Sequence, residues 1–377
     1  MKNILLCNLS YYPEIGGVEN SLRHLRKEYL NLGFNVYLIV GTKNKRSTLK
    51  NNDNIYYFER NKYPGIIGVI LNNFIMIFQL LILMKKISKK NIDFCISRNQ
   101  FVGVISCFFF KRKTIYVAPG FAHHQQNTKN LHSSIIVKIK RKINTILDKL
   151  VLKLSNKVFV FSENMKMQAN EIYHNQNKIN IINPGVDYIR FQPILDEKKI
   201  ESIKKTINYN HHDKLILCVG RLVKAKGFNF AIDAMKYLPE NYKCIIVGDG
   251  VERNNLEEKI KLLNLNNQVF LIGSQNNPEN IYPLADIFAM TSTYEPFGQT
   301  ILEAMSCNLP IVAFKNSKDV ITATEKICID HAYYSSLNAK ELATYFYKIN
   351  KFDGNKNRDF IKENYSWEKL AIGLINE

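Results

Sequence analysis

Only 7 of the 377 residues are cysteine, and no two of them form a C-x-x-C pair. That removes the spacing of zinc knuckles and of dithiol redox motifs. Cys7, Cys218 and Cys244 sit inside apolar strand-like runs and read as small buried residues of a reducing compartment. There is no D-x-D pair and no H-E-x-x-H motif, so a carboxylate-held Mg²⁺ or Mn²⁺ and a zincin site are both unexpected. The Walker pattern and G-x-G-x-x-G are missing too, which sets aside a P-loop and the dinucleotide fingerprint. Met1–Leu6 carries no signal-peptide hydrophobic region and reads as a first strand.

The apolar fraction of 46% and charged fraction of 23% are those of an ordinary folded protein, and 377 residues suffice for two domains with real cores. Acidic residues are scarce in the first half. Residues 1–190 hold 29 Lys+Arg and 10 Asp+Glu, a balance of +19, whereas residues 191–377 hold 23 of each. Such one-sided charge points to an anionic partner: a nucleic acid, a membrane surface or a phosphorylated substrate. Ile66–Met84 is 19 residues without a charge, close to the ~20 needed to span a bilayer. Asn72, Asn73 and Gln79 interrupt it, which favours a mostly buried or interfacial helix over a span.

Strand and helix patterns alternate along the chain, which predicts an α/β protein with parallel sheets. The first half reads as strands Lys2–Asn8, Asn35–Val40, Asp93–Ser97, Thr114–Val117 and Val158–Phe161, with helices between them. Asn183-Pro184-Gly185 is a turn by composition, and the polar stretch Asp196–Lys214 marks a boundary region. The second half repeats the alternation from Leu215. The expected division is 1–190, 191–360 and a terminal helix, 361–377, returning toward the first domain.

Three segments carry candidate chemistry. In Glu295-Pro296-Phe297-Gly298-Gln299-Thr300-Ile301-Leu302-Glu303, two carboxylates flank a loop that opens a helix. Strand-to-helix loops of a parallel sheet face the ligand crevice, and a helix start offers N–H groups and a positive dipole end to phosphate. An ionised Glu accepts hydrogen bonds from ribose or sugar hydroxyls. The plain alternative is a helix whose first turns happen to be acidic. In Gly220-Arg221-Leu222-Val223-Lys224-Ala225-Lys226-Gly227, Arg221 and Lys226 emerge at one sheet edge, where two cations would neutralise a diphosphate; the alternative is a solvated basic loop, the reading that suits Lys224. Gly16-Gly17 after the first strand suits close approach to phosphate, and Gly248-Asp249-Gly250 reads as a tight turn.

These segments, together with PEIGGVEN, INPGVD, VGRLVKAKGFNFAIDAM, IIVGDG, VFLIGS, LADIFAMTSTYEPFGQTILEAMSCNLPIVA and YSWEKLA, resemble the family 4 glycosyltransferases of the GT-B fold over nearly the whole chain and in the family's order. The resemblance implies two Rossmann-like domains facing an inter-domain cleft, a metal-independent reaction and transfer with retention at the anomeric carbon. It implies that Glu303 meets the ribose, that Glu295 with the backbone of Phe297, Gly298 and Gln299 holds the donor sugar, and that Thr300 belongs to the donor-binding set. Gly220, Arg221 and Lys226 fall at the diphosphate, Gly16 and Gly17 bring backbone to the phosphates, and Leu271–Ser274, with Gly273, borders the base. Three departures stand out. Where relatives place a His after the strand Thr114–Val117, this chain has Ala118-Pro119-Gly120, with His123 and His124 following; acceptor-site and surface-loop roles for the two histidines remain equally open. Phe314–Asp319 replaces a Gly-Gly turn and Glu, and Pro184 interrupts the usual Asn-Gly.

The expected donor is therefore a nucleotide diphosphate sugar, UDP-linked on family frequency. The expected acceptor is lipid-linked or a cell-surface glycan such as lipopolysaccharide, with a soluble small-molecule acceptor as alternative. The expected setting is the cytoplasmic face of a bacterial membrane, with a peripheral attachment. A basic helix is expected from about Ser134 to Leu154; in the segment Lys138–Lys157, Lys138, Lys142, Lys149 and Lys153 accompany Ile139, Ile143, Ile146, Leu150 and Leu154, a composition that favours an interfacial helix over one packed only on the first sheet. A nucleic-acid-binding protein would explain the charge but not the two-carboxylate loop, and its basic residues are not interleaved with aromatics. A GT-B sugar phosphorylase would need a pyridoxal-phosphate lysine motif that is not seen.

Overall fold

The computed structural model describes residues 1–11, 17–42, 54–60, 63, 65–121, 135–194 and 196–376. Two compact units share the chain: Met1–Asn183 with Trp367–Glu377, and Pro184–Ser366. The sequence reading set these divisions at 190/191 and 360/361, whereas the contacts set them at 183/184 and 366/367.

The first unit contains strands β1 (Asn3–Asn8), β2 (Asn35–Thr42), β3 (Ile55–Glu59), β4 (Phe94–Ser97), β5 (Thr114–Val117), β6 (Lys157–Val160) and β7 (Ile179–Ile181). They form one sheet in the order β3-β2-β1-β4-β5-β6-β7, and every pairing is parallel. A parallel sheet is covered on both faces, so its strands read as continuous apolar runs; Ile4, Leu5, Leu6 and Cys7 of β1 are all fully buried. The connecting helices are α1 (Gly17–Asn31), α2 (Gly65–Ser88), α3 (Gln100–Phe110), α4 (Ile135–Leu154) and α5 (Glu163–Ile172). The terminal helix, Trp367–Asn376, packs on α1: the Tyr29 hydroxyl donates to Ala371 O at 2.9 Å, and the His24 ring stacks on Trp367 with centroids 4.8 Å apart.

The second unit begins with helix α6 (Glu197–Thr206), inside the stretch read as a polar boundary; only Ile200 of it is buried, too little to give a helical apolar period. Then come β8 (Lys214–Val219), α7 (Phe228–Met235), β9 (Tyr242–Val247), α8 (Arg253–Leu262), β10 (Val269–Gly273), β11 (Ile287–Met290), β12 (Tyr294–Glu295), α9 (Gln299–Ser306), β13 (Ile311–Phe314), β14 (Ile321–Thr322) and β15 (Ala332–Ser335). The main sheet runs β10-β9-β8-β11-β13-β15, again parallel throughout, and β12 pairs with β14 beside it. The order reverses between β8 and β11. In doubly wound sheets, ligands bind outside the carboxyl ends of the strands at that reversal.

The uncharged segment Ile66–Met84 lies in α2. Leu80, Met84 and Ile87 join the core of the first unit against Leu5, Ile39 and Phe58. Leu71–Ser88 is long and apolar enough to cross a membrane by length and composition, but these contacts tie one side of the helix into the sheet core. The opposite side is not covered: Phe74 is 74% and Phe78 62% exposed. Of the two readings left open, burial fails for this side.

Candidate active site

The two loops that flank the β8/β11 reversal carry most of the candidate residues. The first follows β8 and contains Gly220, Arg221 and Lys226; the second follows β11 and contains Glu295 to Gly298, then opens α9 with Gln299, Thr300 and Glu303. Backbone and side-chain bonds stitch them together. Thr293 N donates to Ala225 O at 2.9 Å, and Thr291 Oγ1 donates to Lys226 O at 3.0 Å. Gly220 also lies against the loop after β9. A Cβ on Gly248 would fall 1.9 Å from Gly220 O, at a φ of +137° that only glycine adopts freely, so this contact requires glycine. Gly248 N donates in turn to the carbonyl of Gly273, at the end of β10, at 2.9 Å. Four strand ends, β8 to β11, thus converge on one rim.

Lys226 forms an ion pair with Glu295, and the two side chains are 20% and 11% exposed. The other carboxylate oxygen of Glu295 accepts from Gly298 N at 3.1 Å, which fixes the loop before α9. An ammonium has three donors, and Glu295 takes one of them; the remaining two are what a phosphate would use. Arg221 is exposed on the same loop. Phe297, Gln299 and Thr300 are partly buried at the start of α9.

Glu303, one turn into α9, accepts a hydrogen bond from the Tyr282 hydroxyl at 2.7 Å. Desolvation pushes its carboxyl up to about 7, against the opposing pulls of Tyr282, Arg190 and Gln299, and Glu279 adds to the rise. Arg190 is itself paired with Glu279 at 2.7 Å. The sequence reading missed Arg190, Glu279 and Tyr282. Their only local signal was that Arg190 follows the Asn183–Asp187 turn; their meeting depends on contacts 89 and 21 residues apart in the chain.

The carboxyl value near 7 has two consequences. Burial favours the protonated form, so Glu303 contributes stability below its ordinary value of 4.5, and that contribution is lost as pH rises toward 7. A ligand hydroxyl donates more strongly to Glu303 in its ionised form. Affinity for a nucleoside diphosphate is therefore expected to fall from pH 8 to pH 6 in the native chain, by up to about tenfold beyond the phosphate's own titration. Titrations at both pH values with Glu303→Gln should show only the phosphate component; an identical dependence in both proteins would place the ribose elsewhere.

Gly17 is the first residue of α1, in the first unit, and is exposed. Gly16, His123 and His124 lie outside the described residues.

The chain matches two family models placed one after the other: Glycosyltransferase Family 4 over residues 15–190, and Glycosyl transferases group 1 over residues 199–367. It is 27% identical to an uncharacterised glycosyltransferase of Methanocaldococcus jannaschii over 59% of each chain. It is 29% identical to the UDP-Gal:α-D-GlcNAc-diphosphoundecaprenol α-1,3-galactosyltransferase of Escherichia coli over 45% of each. The match thus spans about three fifths of the first relative's length and less than half of the second's. Among solved structures, the Anabaena protein HepE, crystallised with UDP and glucose, superposes with a TM-score of 0.74 at 18% identity, covering 99% of this chain and 98% of HepE. The chain belongs to glycosyltransferase family 4, and its two parallel-sheet units are those of the GT-B fold.

Proposed function

We propose that this protein transfers a hexosyl or N-acetylhexosaminyl group, with retention, from a UDP-sugar to a lipid-linked or polysaccharide acceptor, such as a lipopolysaccharide precursor, at the cytoplasmic face of a bacterial membrane. The observation that carries the reading is the Lys226–Glu295 ion pair across the two loops at the β8/β11 reversal, with Glu303 one turn into the helix that the second loop opens. Breaking the bond between the anomeric carbon and the diphosphate leaves negative charge on the diphosphate. Lys226 and Arg221 offset that charge, and the start of α9 adds its dipole. Glu303 receives the ribose hydroxyls through the acceptor positions that Tyr282 leaves, and Glu295 orients the sugar. The uridine choice is supported by HepE, crystallised with UDP, and the lipid-linked acceptor by the diphosphoundecaprenol substrate in the name of the Escherichia coli relative.

The test is thermal unfolding with UDP, GDP and ADP, each in the presence of EDTA. UDP at a hundredfold excess over Kd should stabilise the native state by ~2.7 kcal/mol. Because Arg221, Lys226 and the start of α9 would meet the diphosphate charge without a metal, EDTA should neither reduce the shift nor abolish turnover. Silence with all three nucleotides, or a shift that appears only with Mn²⁺, would overturn the reading.

A further inference from the structure

We propose that the first unit binds an anionic lipid bilayer through the outer surface of its α2-α3-α4 helix layer, with the exposed aromatic side of α2 inserted and a basic row along the amino edge of the sheet contacting the headgroups. This deepens, and rests on, the reading of a membrane-linked acceptor.

The topology places the three helices side by side. The crossovers β3→β4, β4→β5 and β5→β6 all step the same way across the sheet. Right-handed connections therefore put α2, α3 and α4 on one face, where α3 packs between the other two. Each helix buries its inner side and leaves apolar residues outside. On α2 these are Leu71, Phe74, Phe78 and Ile82, at helical spacing; on α3, Phe108, 69% exposed; on α4, Ile143, Ile146, Leu150 and Leu154. A surface of this composition is costly in water and is rare on a monomer unless something covers it.

Charge says what covers it. The segments that lead into β4, β5 and β6 lie at the amino edge of the sheet, next to this layer. Lys85 and Lys86 lie in the last turn of α2, Lys89 and Lys90 follow it, Lys111, Arg112 and Lys113 follow α3, and Lys153 ends α4, all exposed. The segments touch: Lys113 Nζ donates to Ile92 O at 2.7 Å, and Lys178 Nζ to Lys153 O at 2.5 Å. Between them opens a groove of about 440 Å³ lined by Phe108, Lys111, Arg112, Leu154 and Lys178, apolar on one side and cationic on the other. From residue 65 to residue 156 the only carboxylates are Asp93 and Asp148. Asp148 is fully buried, which leaves Asp93, bonded to Asn3 N at 2.7 Å, as the one carboxylate of this stretch near the row. An apolar strip bordered by a large excess of cations matches acyl chains beneath anionic headgroups. A second copy fits poorly, because a two-fold contact would bring the two basic rows together.

The experiment is vesicle co-flotation of the full chain with phosphatidylcholine alone and with added phosphatidylglycerol. The native chain should float with the anionic vesicles only, and less so at high salt. Phe74→Ser/Phe78→Ser should lower partition at least about tenfold. Lys111→Gln/Arg112→Gln should lower it and flatten its salt dependence. Both variants change exposed residues of the first unit, and the UDP-induced rise in Tm shows that each is folded. The proposal is overturned if the native chain stays unbound, if the phenylalanine variant floats equally well, or if light scattering finds a dimer that this variant splits without any vesicle binding. A UDP shift without flotation removes the docking alone, whereas flotation without any nucleotide shift leaves the docking and removes the transferase reading.

Discussion

Arg221→Ala and Lys226→Ala are each expected to lower kcat by about 10²–10³-fold, the usual cost of removing one donor that stabilises developing charge. The two differ in what else they disturb. Arg221 is exposed, so its removal should leave Tm nearly unchanged, as surface substitutions do. Lys226 is the ion-pair partner of Glu295, and its stem covers Gly220, where a Cβ would stand 3.2 Å from Lys226 Cε. Its loss leaves a largely buried carboxylate unpaired and loosens the loop before α9, so Tm should fall as well. Lys226→Arg keeps the charge but not the compact ammonium, and should recover stability better than turnover. Nucleoside diphosphate release and thermal unfolding on the same samples separate the effects. Turnover within threefold of native in Arg221→Ala would show that the diphosphate is held elsewhere.

Gly227→Ala should be strongly damaging for a single added methyl group. Gly227 has φ of +61°, and an added Cβ would lie 2.0 Å from the carbonyl oxygen of Thr291. The left-handed backbone costs an alanine about 1–2 kcal/mol. The clash adds to this, because Thr291 cannot retreat: its hydroxyl bonds Lys226 O, and the neighbouring Thr293 N bonds Ala225 O. We expect a total loss of about 3–4 kcal/mol, together with displacement of Lys226 from Glu295 and loss of nucleotide binding. Gly33→Ala is the control: φ is +80° but nothing lies within 4 Å of the added Cβ, so only the backbone cost, about 1–2 kcal/mol, should appear in denaturant unfolding. Equal losses in the two variants would mean that the contact between the β8 and β11 loops is not tight.

Much of this site was legible because its signals are local. Parallel strands buried on both faces leave continuous apolar runs such as Leu215–Val219, and a glycine-bearing loop after such a run marks the carboxyl edge of a sheet. The strand order was not legible. Nothing in the residues of β8 and β11 announces that they are neighbours, and that adjacency is what brings Lys226 to Glu295. Arg190, Glu279 and Tyr282 escaped for the same reason, since each is ordinary in its own segment and acquires meaning only around Glu303. The edge strand Ile55–Glu59 and helix Glu197–Thr206 bury too little for periodicity to show them. Composition marked residues 66–84 as apolar but not one-sided, because α2 is rich in apolar residues both where Leu80 and Met84 enter the core and where Phe74 and Phe78 do not.

The central claim is that the loops at the β8/β11 reversal bind and activate a nucleotide diphosphate sugar. Its most direct test is release of nucleoside diphosphate by the purified chain from a panel of UDP-, GDP- and ADP-sugars, with and without a membrane-lipid extract as acceptor source. The account predicts release from a UDP-sugar, faster with the extract and lost in Arg221→Ala and Glu303→Gln. No release from any sugar nucleotide, or release that survives both substitutions, would contradict it.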